Sequence, residues 1–174
     1  MRPSRTERWI GVYQSLAGGY GLVLVALSVG RIYPKVPPGS RGEFVAIWAA
    51  ITLLFTMVTL AGVALLRGHA LGRPVSTIVQ LIQVFIVATK GVHWIFLAGL
   101  YLGVTVFDGT VRPMAGFRAQ AQVAYGKGPP PMTGMGVNII PFGVLWLLWR
   151  RRTEGTVGRA PPGSARANIA APAA

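Results

Sequence analysis

The sequence predicts an all-α integral membrane protein: four transmembrane helices in an antiparallel bundle, with both termini cytoplasmic. Three observations predict it. Of the 174 residues, 52% are hydrophobic and only 12% charged; a soluble domain carries about 25% charged residues. The mean hydropathy is +0.53, and the apolar residues fall into four long runs. The 17 basic residues, against 4 acidic ones, give a net charge of +13 and sit almost entirely in the gaps between runs, where anionic headgroups lie. Aromatic residues sit mainly inside the runs, so the basic excess reads as a membrane anchor and nucleic acid is not an expected partner. The chain has no cysteine, which excludes disulfide frameworks, thiolate metal sites and thiol nucleophiles.

Each element can be justified in order. A short basic head, MRPSRTER, precedes the first span, Trp9 to Gly30. That run is long enough to cross roughly 30 Å of hydrocarbon and too long for a signal-peptide core. Gly11, Ser15 and Gly19 recur at every fourth position, which predicts a helix-packing stripe where another helix approaches closely. Pro34, Pro37, Pro38 and Gly39 make Arg31 to Glu43 a loop. The second span is Phe44 to Leu66, whose polar side chains Thr52, Thr56 and Thr59 can bond back to their own helix. The tight basic turn RGHALGRP, Arg67 to Pro74, makes spans two and three antiparallel neighbours.

The third expected span, Val75 to Phe107, has 33 residues, about 50 Å as a straight helix. It exceeds the hydrocarbon thickness, so it must tilt, project or bend, with Gly91 as the bend point. Gly99 and Gly103 form a GxxxG pair, a second helix-packing face. Asp108 to Gly134 reads as a long Gly/Pro-rich loop, within which Pro113 to Tyr125 suits a short interfacial helix. The fourth span covers residues 133–149 and is interrupted by Pro141. Trp146 and Trp149 mark its headgroup end, and Arg150 to Arg152 stop transfer. Residues 153–174 lack periodicity and are expected to be a disordered cytoplasmic tail. The termini and second loop carry ten Lys and Arg, and the first and third loops six, which orients both termini to the cytoplasm.

Within the third run lies a polar stripe. Residues seven apart on a helix are offset by about 20°, which aligns Gln83 with Lys90, and Gln80 and His93 flank them at about 60°. Such groups should face protein, water or a ligand rather than lipid. The acids Glu7, Glu43, Asp108 and Glu154 all lie in or beside loops, so no span offers Lys90 a carboxylate. Lys90 then has four solutions: snorkelling with its ammonium over Trp94, neutrality, a carboxylate on another polypeptide, or an anionic ligand. The ligand- or partner-binding set is therefore Lys90, Gln83, His93, Gln80 and Trp94. For Gln80 and Gln83 the simplest role is hydrogen bonding across to Gln14, Ser15 or Asn138. His93 is the lone histidine in a span, suited to single-ligand binding of haem iron or a chlorophyll-type pigment. A satisfied or water-facing histidine is the simpler reading, and neither a cofactor nor a metal is expected.

The segment Leu65 to Gln83, LLRGHALGRPVSTIVQLIQ, resembles a pattern in uncharacterised small four-helix inner-membrane proteins of bacteria. There a span ends in LLRG, a Gly-Arg follows in a short turn, and a Gln-bearing apolar run opens the next span. The resemblance implies a bacterial four-span protein and no activity. The sequence contains no Ser/His/Asp grouping, phosphate loop or paired carboxylates. The expectation is a non-catalytic accessory or scaffolding subunit of a larger membrane assembly, with lipid and other membrane subunits or self-association as partners. The alternative is a small oligomeric carrier or binding protein for an anionic or lipid-like ligand.

Overall fold

The computed structural model describes residues 3–88, 92–125 and 133–157, with the backbone alone at 92–93, 122–125 and 151–157. Helices α1 (Arg5–Ile32) and α2 (Arg41–Leu66) form an antiparallel hairpin. Helix α1 starts at a capping box. The Ser4 hydroxyl accepts from the Glu7 N–H at 3.3 Å, and the Glu7 carboxylate accepts from the Ser4 N–H at 2.7 Å, so two otherwise orphaned donors are satisfied. Two 3-10 turns, Tyr33–Lys35 and Pro38–Ser40, carry the chain across to α2. Helix α2 ends at Gly68, φ 67°. There Gly68 N–H donates to the Leu65 carbonyl at 3.1 Å and His69 N–H to that of Ala64 at 2.9 Å, the two bonds of a Schellman stop. With 28 and 26 residues, the helices are about 42 and 39 Å long. Among the described residues, these two are the helices long and apolar enough to cross a membrane.

The expected third span is overturned. Helix α3 (Gly72–Ile82) takes its first third, and then the chain becomes extended as β1 (Phe85–Ala88) and β2 (Val92–Phe107). The run from Val84 is dense in β-branched and aromatic residues, which suit a pleated surface better than a helix. Asp108 and Gly109 both take positive φ, 49° and 75°. That is the two-residue turn that matches strand twist, and it closes β2 onto β3 (Thr110–Tyr125) with Phe107 opposite Thr110. Pro113 to Tyr125, expected as an interfacial helix within a long loop, is thus strand, and residues 126–132 of that loop lie outside the described residues. The expected fourth span is β4 (Gly134–Asn138) followed by α4 (Ile140–Val157). The all-α four-helix bundle gives way to four helices and a four-stranded antiparallel sheet of order β1-β4-β2-β3, in which β1 also pairs with β2.

The sheet packs on the helical hairpin. Phe96 and Ala98 of β2 are buried in one cluster with Val25, Phe55, Val58 and Val79, and the Phe55 and Phe96 rings meet at 5.3 Å. A smaller cluster of Ile10, Leu65 and Leu148 gathers the start of α1, the end of α2 and the middle of α4 at one end of the molecule. The Glu7–Arg73 ion pair lies at that same end, joining α1 to the first turn of α3.

Candidate functional site

The strongest concentration of buried polar groups lies where β2 meets α1, α3 and α4. Strand β2 pairs with β1 at His93 and Trp94, and with β4 from Gly103 to Phe107. Between these pairings, the inner edge from Ala98 to Leu102 has no strand beside it among the described residues, and side chains take the strand's place. Gln83 Oε1 accepts from Ala98 N–H at 3.2 Å, the Tyr13 hydroxyl from Leu100 N–H at 2.7 Å, and Asn138 Oδ1 from Leu102 N–H at 3.1 Å. The Tyr13 hydroxyl also has the Ala98 carbonyl within 3.3 Å, and Ile139 N–H donates to the Leu102 carbonyl at 2.7 Å. Asn138 also accepts from Ile140 N–H at 3.3 Å, at the start of α4, and its own N–H reaches the Val84 carbonyl at 2.9 Å. One residue therefore ties α3's exit, β2 and α4 together. Without its acceptor, the buried Ala98 N–H would cost about 1–3 kcal/mol.

The same junction holds surplus donors. Gln14 and Ser76 are fully buried, and Ser76 Oγ donates to Gln14 Oε1 at 2.8 Å. Gln83 and Asn138 must turn their oxygens to backbone N–H groups, which leaves each NH₂ pointing elsewhere. Gln14 Nε2, Gln83 Nε2, Asn138 Nδ2 and Ser15 Oγ have no protein partner among the described residues. The junction is neutral. It offers N–H donors to an oxygen acceptor, such as a carbonyl or water, and no nucleophile paired with a base.

The expected site residues are only partly brought together. Gln80 and Gln83 are buried in this junction with Gln14, Ser15 and Asn138. Gln83 bonds to the β2 backbone, however, and not to those side chains. The helical stripe that would align Gln83 with Lys90 does not exist, because α3 ends at Ile82. Lys90 and Gly91 lie outside the described residues, as does the side chain of His93, and with it the haem or chlorophyll-type ligation weighed there. The backbone of His93 sits in β2 opposite Ala88 and Ala124. Trp94 is half-buried against the main cluster. His69, in the α2–α3 turn, accepts from Leu71 N–H at Nδ1, 3.2 Å away.

The helix-packing residues also divide. Gly11 faces Gly62, where an added methyl on Gly11 would stand 2.8 Å from the Gly62 carbonyl, and one on Gly62 would stand 2.5 Å from the Ser15 nitrogen. Gly19 faces open space, and Gly18 and Gly21 take its place against Thr59 and Phe55. Gly99 and Gly103 cannot form a helix face, since both lie in β2. Gly99, φ 101°, is where the Tyr13 hydroxyl reaches the strand, and Gly103 lets the Val137 carbonyl close in.

No protein family, no curated protein and no solved structure matches the chain. Tyr13, Ser76, Gly62 and the turn at Asp108 were invisible to the sequence reading as functional positions. Two signals were present in the sequence. Asp-Gly between apolar runs marks a hairpin, and Asn138 shortly before Pro141 marks a helix start. Among the described residues, no group of three His, Asp or Glu side chains gathers to hold a metal ion. At the hairpin turn, Asp108 accepts from both the N–H and the hydroxyl of Thr133 at 3.0 Å. The Thr133 backbone bond leads the causes that hold its carboxyl below the usual aspartate range, followed by the Thr133 hydroxyl, with Arg112 adding to them.

A second feature is an uncovered sheet face. Register places Phe85, Val137, Val104 and Pro113 in one row, and Val87, Met135, Val106 and Val111 in the next. Residues paired side by side share a face. Leu100 and Leu102 extend it, and every one of these side chains but Val87 is exposed. Among the described residues, β3 pairs with β2 only, which leaves its outer border open.

Proposed function

We propose that the chain is a non-catalytic accessory or scaffolding subunit of a larger membrane assembly, a multi-pass protein of a bacterial cytoplasmic membrane. The observation that carries this reading is the apolar sheet face, four strands wide, beside two helices of membrane-crossing length. A patch of this extent marks contact with protein or lipid. The open border of β3 favours protein. Unpaired N–H and C=O groups in hydrocarbon cost several kcal/mol each, so an open sheet edge does not face lipid. Arg112 and Arg118 lie along that border. Two of the chain's four acids are already engaged, Glu7 by Arg73 and Asp108 by Thr133. A neighbouring subunit with carboxylates beside an extended segment would answer both the border and its charges.

Purification in mild detergent followed by native mass measurement tests this. The expected result is a stoichiometric foreign subunit that is lost in Val104→Glu, an exposed position whose substitution leaves the melting temperature of the isolated chain unchanged. A bare monomer of wild-type protein, recovered under conditions that keep other membrane complexes intact, overturns it.

A further inference from the structure

Helices α3 and α4 stand side by side, and between them runs an apolar groove. It consists of two adjoining hollows of about 480 and 260 Å³ that share Thr77 and Trp149. The outer hollow is lined by Ala70, Arg73, Pro74, Ile78 and Leu148, and the inner one by Leu81, Leu145 and Trp146. Helix α3 has 11 residues, about 16 Å, and the apolar part of α4, Ile140–Arg150, is of equal length. That is close to half of the roughly 30 Å hydrocarbon core. The groove is therefore as deep as one leaflet, and α1 and α2 as deep as two.

Arg73 brings charge to its outer end, and Arg150, next to the shared Trp149, reaches back over Trp146. Arg73 lines the outer hollow with its side chain half exposed, and its Nε is engaged by Glu7. The Arg150 guanidinium lies 5.0 Å from the centre of the Trp146 ring, and Arg67 is exposed in the nearby turn. Among described residues, the acid lining this end is Glu7, which occupies the neighbouring hollow with Arg73. Basic groups at headgroup level above a leaflet-deep apolar groove call for an amphiphile with an anionic head and a long chain.

We propose that this groove seats an acyl chain of an anionic phospholipid from the leaflet on the N-terminal side, with its phosphate at Arg73. The inference rests on the membrane reading above, and it specifies a lipid contact distinct from the uncovered sheet face. Glu7 competes with the phosphate for the same guanidinium, so the two substitutions Arg73→Gln and Glu7→Gln pull in opposite directions. A purely structural ion pair would respond alike to both.

The test uses protein in which Trp9, Trp48 and Trp94 are replaced by Phe, leaving Trp146 and Trp149 as reporters. It is reconstituted into phosphatidylcholine vesicles containing a minor fraction of chain-brominated phosphatidylglycerol or chain-brominated phosphatidylcholine, and tryptophan quenching is compared. The expected preference for the anionic lipid is about fivefold, the value of one basic side chain at an anionic surface. It falls to parity in Arg73→Gln and in Thr77→Phe, which fills the point where the hollows meet, and it rises in Glu7→Gln. Equal quenching by the two lipids, or a preference unchanged in both Arg73→Gln and Thr77→Phe, overturns the proposal. Vesicle flotation is read in parallel: protein that does not float with lipid defeats the membrane reading itself, whereas floating protein without preference defeats only the lipid site.

Discussion

The helical hairpin and the strand-rich half are joined internally by different means. In the hairpin, backbone approaches backbone at small residues: Gly11, Gly18 and Gly21 on α1 against Gly62, Thr59 and Phe55 on α2. Thr52 and Thr59 bond back to their own helix, to the Trp48 and Phe55 carbonyls, so α2 satisfies these hydroxyls without a partner element. The inner edge of β2 cannot do this and borrows its partners from Tyr13, Gln83 and Asn138. The hairpin should therefore be sensitive to volume and indifferent to hydrogen-bond chemistry, and the sheet edge the reverse.

The largest effect is expected at Asn138→Leu, which keeps the branching of the side chain but leaves the Leu102 and Ile140 N–H groups without acceptors. Two part-buried orphans at about 1–3 kcal/mol each give a loss of about 2–6 kcal/mol. Thermal unfolding in mild detergent reads it directly, and a loss below about 1 kcal/mol would mean that water reaches this edge. Next comes Gly62→Val, which drives side-chain atoms into the Ser15 backbone and should cost about 1–3 kcal/mol by overpacking. Gly19→Val, one face away in open space, should cost nothing, because valine is a better helix former than glycine. If the two are alike, the hairpin does not cross where Gly11 meets Gly62. Smaller again is Tyr13→Phe, which removes one acceptor and keeps the ring. About 1–2 kcal/mol is expected, with faster amide exchange at Leu100 and unchanged exchange in α2.

These contrasts also explain what the sequence could reveal. The hairpin was legible because bilayer thickness sets a length that α1 and α2 meet. Of its expected packing stripe, Gly11 and Ser15 meet Gly62, and Gly19 faces open space. Steps of four, as in Gly11-Ser15-Gly19, drift about 40° around a helix each time. Alternating steps of three and four hold one face, as in Gly11, Gln14, Gly18, Gly21 and Val25. The junction was half legible: Gln80 and Gln83 stood out as polar groups needing burial. Their partners did not, because a strand edge lies beside them where a helix was expected. Apolar content alone does not separate a buried strand from a buried helix. In Val75 to Phe107 the strand signal is instead the β-branched density, a length no single span needs, and Asp108-Gly109 at its end.

That turn supplies the smallest expected effect and the cleanest sign. Asp108 is fully exposed, yet its carboxylate holds Thr133 at the base of β4, and its pKa is lowered in the folded chain, chiefly by the Thr133 backbone bond. A carboxyl with a depressed folded pKa contributes stability that is complete above its unfolded value, near 3.9, and is lost as pH falls through the folded value. Wild-type protein should therefore lose a small increment of melting temperature below about pH 4. Asp108→Asn can keep an oxygen acceptor for the Thr133 N–H and tolerates positive φ, but it cannot titrate. Its melting temperature should track the wild type at neutral pH and fall less in acid. Parallel curves over the whole range would show that β4 is held in place by its pairing with β1 and β2, and that the turn contributes nothing to the closure of the sheet.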